Sequence, residues 1–264
     1  MADALVGFSG FVGGTLLKQA AFEALYRSTN IGDIRDKEFE TLVCAGASAK
    51  KWVANQDPEA DWKGIAQLTD HLGSIRCKRF VLISTVDVFE SPIGVDEGST
   101  VEESGLHAYG SHRRWLEKFV ESHFPEHLIV RLPGLVGPGL QKNVIFDFLN
   151  NNNLHAIDSR NVFQFYPMVN LWFDIQVALN AGLRLVHLTS EPVCVSAVAS
   201  EGFGRNFKNV LDGTPVGYDM RTLHASLFAG AGAYQYSARE AIQAVRAYAQ
   251  SEPVTLAGVS GGKA

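Results

Sequence analysis

Gly7-Phe8-Ser9-Gly10-Phe11-Val12-Gly13 follows directly on the short apolar run Ala4-Leu5-Val6. An apolar run, a glycine-rich turn and then residues 12–21 in helical spacing read as a buried strand turning into a helix. Gly7 permits the sharp turn, Gly10 leaves the backbone open to close approach, and Gly13 lets the helix lie against the strand. Free N–H groups at the helix start favour an anion, so this turn is a candidate pyrophosphate cradle. The spacing is GxxGxxG rather than GxGxxG, and the turn alone does not separate a binding site from an ordinary strand-to-helix connection.

The rest of the chain supplies the context. Residues 24–26, 40–45, 80–83 and 128–130 are short apolar runs, and residues 62–72 and 109–123 have helical spacing. Strands that alternate with helices, and that carry no polar alternation, fit a parallel sheet covered on both faces. From Leu132 to Gly139 the chain is rich in Pro and Gly and reads as loop. Beyond it come an Asn-rich stretch (150–153), a further strand near 186–188 and an amphipathic helix over 238–248.

Composition narrows the class. The chain has 264 residues, 46% hydrophobic and 19% charged, which is enough for a large core. A net charge of −5 without a basic block argues against a nucleic-acid footprint. The three cysteines, Cys44, Cys77 and Cys194, lack metal-ligand spacing and read as core residues in a reducing compartment. No metal site is expected. Neither a leader-like segment nor an apolar run of about 18 residues is present, so the expectation is a cytoplasmic protein without membrane contact.

Three further motifs follow the glycine turn in order. Ile83-Ser84-Thr85-Val86-Asp87-Val88-Phe89 leaves the strongest apolar run, Tyr109-Gly110-Ser111-His112-Arg113 opens a helix, and Arg131 to Gly139 forms the Pro–Gly stretch. Strand ends at the carboxyl edge of a parallel sheet are where ligands bind, which places Ser84 and Thr85 at that edge. Tyr109 and Arg113 are four apart and share a helix face. A cation there favours the phenolate.

Together the four motifs resemble the extended short-chain dehydrogenase/reductase family of sugar-nucleotide epimerases, dehydratases and reductases. The resemblance covers most of the chain, with Phe165 to Val169 and Asp174 similar to a later family strand and helix. It implies an α/β fold: a Rossmann-type, doubly wound parallel sheet with a small C-terminal substrate lobe. Residues 1–140 would be the dinucleotide-binding domain, 141–250 a mixed segment completing the sheet and building the lobe, and 251–264 a disordered tail. One strand and helix usual in the family are expected to be trimmed between Arg27 and Thr41.

The resemblance also implies roles. Thr85, favoured over Ser84 by the count back from Val88-Phe89, would orient a substrate oxygen. Tyr109 would be the acid/base, and Arg113 would supply charge and hold the nicotinamide ribose. The family has lysine at the position of Arg113; arginine keeps the charge but is planar and does not lose its proton. Gly7, Phe8, Ser9, Gly10, Phe11, Val12, Arg27, Ser28, Ala45, Gly46, Ala47, Ile83, Pro133 and Leu135 would line the cofactor with Tyr109 and Arg113. The second strand ends in Arg27 and Ser28 rather than in a carboxylate, which favours NADP over NAD unless Arg27 is a solvated loop residue. Lys50 and Trp52 follow as candidates to cover the cofactor or substrate, with packing the alternative for Trp52. Asn143 would contact the substrate along with Thr85, and His107, Arg205 and Arg239 are weaker candidates with surface or structural readings.

The implied activity is an NAD(P)-dependent oxidoreductase or isomerase acting at a hydroxyl or ketone carbon of a sugar, nucleotide-linked or smaller. The alternatives are a non-catalytic redox sensor, which the change to Arg113 favours, and a reductase of a small non-sugar carbonyl. A homodimer paired beside the Tyr109 helix is the partner that the resemblance implies.

Overall fold

The computed structural model describes residues 1–254. Six strands form one parallel sheet: β1 (Ala2–Val6), β2 (Ala24–Tyr26), β3 (Glu38–Cys44), β4 (Arg76–Thr85), β5 (His127–Leu132) and β6 (Leu185–His187). Their spatial order is β2-β1-β3-β4-β5-β6. Strand pleating divides the apolar runs between two cores. Val6, Leu42, Cys44, Phe80, Leu82 and Ile129 point to one face, against Ile65, Leu68 and Leu72 of α3 (Pro58–Leu72) and Leu116 and Val120 of α4 (Ala108–His123). Leu5, Val43, Val81, Leu128 and Val130 point to the other, against Leu16 of α1 (Phe11–Gln19) and Leu171, Ile175 and Ala178 of α6 (Leu171–Asn180). Both faces are covered, as runs without polar alternation require.

The chain leaves β1 in one direction to β2 and returns to the other side at β3. A crevice therefore opens at the carboxyl edge between β1 and β3. A single strand, β2, lies outside β1, and a short 3₁₀ turn (Ile31–Ile34) replaces a crossover helix before β3. That is the trimming expected between Arg27 and Thr41.

Helix starts follow their local chemistry. Asp57 caps α3 by accepting from the Ala60 N–H at 3.0 Å, with Pro58 in the first turn. His107 Nδ1 accepts from the Gly110 N–H at 3.0 Å and caps α4. A short α2 (Lys51–Gln56) precedes α3. A third core joins Val136, and Ile145 and Phe148 of α5 (Val144–Asn150), to Ala241, Ile242 and Val245 of α7 (Ala238–Ser251).

Two expectations need correction. The Pro–Gly stretch is not all loop: Gly134–Val136 is a short strand paired in parallel with Phe165–Pro167. A Cβ at Gly134 would sit 2.6 Å from the Gln164 carbonyl, so the glycine is what lets the strands meet. Ser251 belongs to α7, and Glu252 accepts from the Gly139 N–H at 3.0 Å. The remainder of the expected tail, residues 255–264, lies outside the described residues.

Candidate active site

The glycine turn sits at the crevice. The Gly7 N–H donates to the Tyr26 carbonyl at 2.7 Å, and the Ala45 N–H donates to Val6 at 2.9 Å, tying the ends of β1, β2 and β3 together. Gly7 has φ +87, and a Cβ there would strike the Ala45 carbonyl. A Cβ at Gly13 would strike the Gly7 carbonyl. At Gly10, by contrast, the nearest atom to an added Cβ is the Gly7 oxygen at 3.4 Å, so the backbone borders open space. No side chain caps the start of α1 and its first turn holds no acidic residue, which leaves the helix end suited to an anion.

Around this turn stand the other candidates. Phe8 and Phe11 are half-buried, Ser9 is exposed, and Val12 packs into the sheet core. Arg27 and Ser28 are exposed at the end of β2; the Arg27 guanidinium lies 5.7 Å from the Phe8 ring centroid and its Nε donates to Thr29 at 3.0 Å. Ala45, Gly46 and Ala47 leave β3 beside Gly7. Ile83 is in β4, and Pro133 and Leu135 follow β5.

The end of β4 separates Ser84 from Thr85 because successive side chains point to opposite faces. Ser84 turns inward, and its hydroxyl donates to Glu117 Oε1 at 2.6 Å. Thr85 turns outward. Its Oγ1 accepts from the Asp87 N–H at 3.1 Å and lies 3.4 Å from Asp87 Oδ2. Tyr109, 6% exposed, opens α4 with its phenol influenced by the Thr85 hydroxyl. Burial raises the phenol above its ordinary value. Arg113 and Thr85 pull it down, Asp87 pushes it up, and Lys51 pulls it down. Thr85 and the start of α4 that carries Tyr109 thus both pack about the Asp87 turn, and Ser84 points away from it.

Arg113 turns its terminal nitrogens toward α3. It is 3% exposed, and its two terminal nitrogens grip Asp61 of α3, Nη2 to Oδ1 at 2.9 Å and Nη1 to Oδ2. Nη2 also donates to the Ser48 carbonyl. The guanidinium carbon lies 4.2 Å from the Tyr109 ring centroid, a cation–π contact. Its Nε is a buried donor without a partner among the described residues. Burial pushes the Asp61 carboxyl up, but hydrogen bonds from Arg113 and His112 outweigh it and hold it below its usual range.

Asn143 is occupied by the fold. Its Oδ1 accepts from the Ile145 N–H at 2.9 Å, capping α5, and its Nδ2 donates to the Leu135 carbonyl at 2.9 Å. Arg205 bonds Asn151 at 2.7 Å, and Arg239 lines a groove with Pro192, Ile242 and Arg246 on α7. Lys50 and Trp52 are exposed at the start of α2.

Lys51, Asp87 and Tyr218 were not singled out from sequence. The Lys51 ammonium lies 2.8 Å from Asp87 Oδ1, and the Tyr218 hydroxyl donates to the same oxygen at 3.0 Å. The three come from separate parts of the chain, so spacing carried no signal; the position of Asp87 two residues after Thr85 was the one local cue.

Among the described residues, no group of His, Cys, Asp and Glu is arranged to hold a metal, and no helix is long and apolar enough to cross a membrane. No family model matches the chain, and no curated protein does. Solved structures do. A dTDP-4-dehydrorhamnose reductase from Clostridium acetobutylicum is 18% identical with a TM-score of 0.70, over 95% of this chain and 99% of that one. RMD from Pseudomonas aeruginosa, solved with NADPH, is 16% identical with a TM-score of 0.70 over 95% and 99%. The enzyme WbmG from Bordetella bronchiseptica, solved with NAD, is 14% identical with a TM-score of 0.71 over 94% of each. At this identity the likenesses establish a shared fold, the one that the resemblance to the extended short-chain dehydrogenase/reductases implied.

Proposed function

We propose that the protein is an NAD(P)-dependent oxidoreductase or epimerase acting at a hydroxyl or ketone carbon of a sugar, nucleotide-linked as the name of the neighbouring dTDP-4-dehydrorhamnose reductase describes its own substrate. What supports this reading is the packing of Thr85 and of the helix start that carries Tyr109 about the Asp87 turn, on the same sheet whose β1 exit carries the open glycine turn.

The residues present fit a dinucleotide. The space beside Gly10 and the uncapped start of α1 suit the pyrophosphate. Arg27 suits a 2′-phosphate, which favours NADP over NAD. Arg113 retains a buried unpartnered Nε donor for a ribose hydroxyl, although Asp61 holds its terminal nitrogens. When bound, a nicotinamide group supplies or accepts the hydride.

Thr85 hydrogen-bonds the substrate oxygen. Tyr109 donates a proton to that oxygen when a ketone is reduced and removes it when an alcohol is oxidised. Burial keeps the phenol protonated at neutral pH, ready for the reductive direction, while Arg113, Thr85 and Lys51 favour the phenolate that oxidation needs. Exposed Trp62 and Trp115, whose ring centroids are 4.8 Å apart on α3 and α4, support a second copy docking beside the Tyr109 helix.

Incubation of the protein with a panel of nucleotide sugars and small carbonyls, with NADPH or NADH, tests the reading. Turnover of a nucleotide sugar supports it. Turnover confined to small carbonyls, or cofactor binding without turnover of any compound, contradicts it.

A further inference from the structure

Lys51 opens α2 and Asn55 lies one turn further on, so the two share a helix face. Asn55 Oδ1 accepts from the Tyr109 backbone N–H at 3.0 Å, which sets that face against the start of α4. From it Lys51 reaches Asp87, with Nζ 2.8 Å from Oδ1 and 3.3 Å from the Tyr218 hydroxyl. The other carboxylate oxygen, Oδ2, lies 3.4 Å from Thr85 Oγ1. A Cβ at Gly110 would strike the Asp87 carbonyl, so the turn that carries Asp87 is packed directly on the helix that carries Tyr109. One carboxylate therefore touches Thr85 on one side and is held by a cation and a phenol on the other.

On the reading that Thr85 and Tyr109 carry the proton transfer, we propose that Lys51 and Asp87 form a positioning pair that sets how readily Tyr109 releases its proton. Asp87 opposes a phenolate forming beside Thr85, and Lys51 offsets the Asp87 charge. Neither residue exchanges a proton with the substrate. The pair adds a control from outside α4, where Arg113 is already bound to Asp61.

The groups facing the phenol define what a titration reads. From α4 comes Arg113, compensated by Asp61 of α3, which also bonds His112. From the turn before α4 comes His107, its ring 6.2 Å from that of Tyr109. From the β4 exit come Thr85 and Asp87, and from α2 comes Lys51. Lys142, whose ammonium donates to the Ala49 carbonyl, acts on the same cluster through Asp87. Arg113 and His107 are common to every variant below.

The test is a pH titration of the cofactor-free protein labelled with [¹³Cζ]tyrosine, with the Tyr109 resonance assigned from Tyr109→Phe. Asp87→Asn is expected to bring the onset of Tyr109 ionisation down by about one pH unit, and Lys51→Met to take it up by about one, by removal of a single nearby charge. The double variant should return near wild type, and Lys51→Arg should restore it. Lys51 is 38% exposed, so Lys51→Met reads the effect alone where Asp87→Asn does not fold. Coincident curves for wild type and Lys51→Met would overturn the proposal. No turnover is needed, so failure here leaves the proposed reaction standing, and loss of the proposed reaction leaves the titration readable.

Discussion

Arg113 and Asp61 form a two-point ion pair inside the protein, joining α4 to α3 beside the ring of Tyr109. Both side chains are nearly buried, at 4% and 7% exposure. Breaking such a pair leaves a buried charge without its partner. Asp61→Ala is expected to lower the unfolding free energy by about 3 kcal/mol in urea titrations. Arg113→Lys keeps the charge but cannot grip both carboxylate oxygens, and should cost about 1–2 kcal/mol. Equal stability of both variants with wild type would show the pair to be idle.

Two glycines of the turn should separate folding from binding. Gly7→Ala forces a side chain into φ +87 and into the Ala45 carbonyl, and is expected to cost about 2 kcal/mol or more by thermal melting. Gly10→Ala has room within the protein, so its melting should stay within about 0.5 kcal/mol of wild type. The added methyl would stand in the proposed pyrophosphate space. NADPH affinity, read by fluorescence titration, should fall about tenfold or more.

Arg27 is the residue proposed to choose the cofactor. Its guanidinium is exposed above Phe8 and free of carboxylates among the described salt bridges. Arg27→Ala should weaken NADPH binding about tenfold and leave NADH binding unchanged, a comparison that one pair of titrations makes. An equal loss for both cofactors would assign Arg27 to general charge rather than to the 2′-phosphate.

His187, at the end of β6, predicts an acid sensitivity. Its Nδ1 lies 2.9 Å from the Arg221 carbonyl and its Nε2 lies 3.3 Å from Arg131, so the ring fits as a neutral donor–acceptor. Burial lowers its pKa from 6.5 to about 4, with Glu97 working against the shift and Arg131 with it. Between those values the unfolded chain binds a proton that the folded one refuses. The contribution is therefore complete above about pH 6.5 and is lost as pH falls toward 4, by about 3 kcal/mol. In urea titrations from pH 7 to 4, His187→Gln should show a flatter loss than wild type.

Much of the fold was legible because it is written locally. Ala4–Val6 and Phe80–Ile83 are apolar on both pleat faces, and Gly7 and Gly13 sit where backbone contacts forbid a side chain. The pleat at the end of β4 turns Ser84 toward Glu117. What escaped depends on long-range encounters. Asp61 gave no sign that it would pair with Arg113, 52 residues away. Lys51 and Tyr218 meet at Asp87 from opposite ends of the chain. In sequence Asn143 reads as a substrate contact, because an amide that could contact a ligand and one that caps a helix look alike there. Gly134–Val136 reads as loop because its glycine serves a strand partner 31 residues on.

In the proposed reaction Tyr109 transfers the proton beside a bound cofactor. Tyr109→Phe keeps the ring and its contact with Arg113 and removes only the hydroxyl. Measured with the substrate that the panel identifies, kcat should fall about 10²–10⁴-fold while NADPH affinity stays within about twofold of wild type. Undiminished turnover by Tyr109→Phe would rule out Tyr109 as the proton donor.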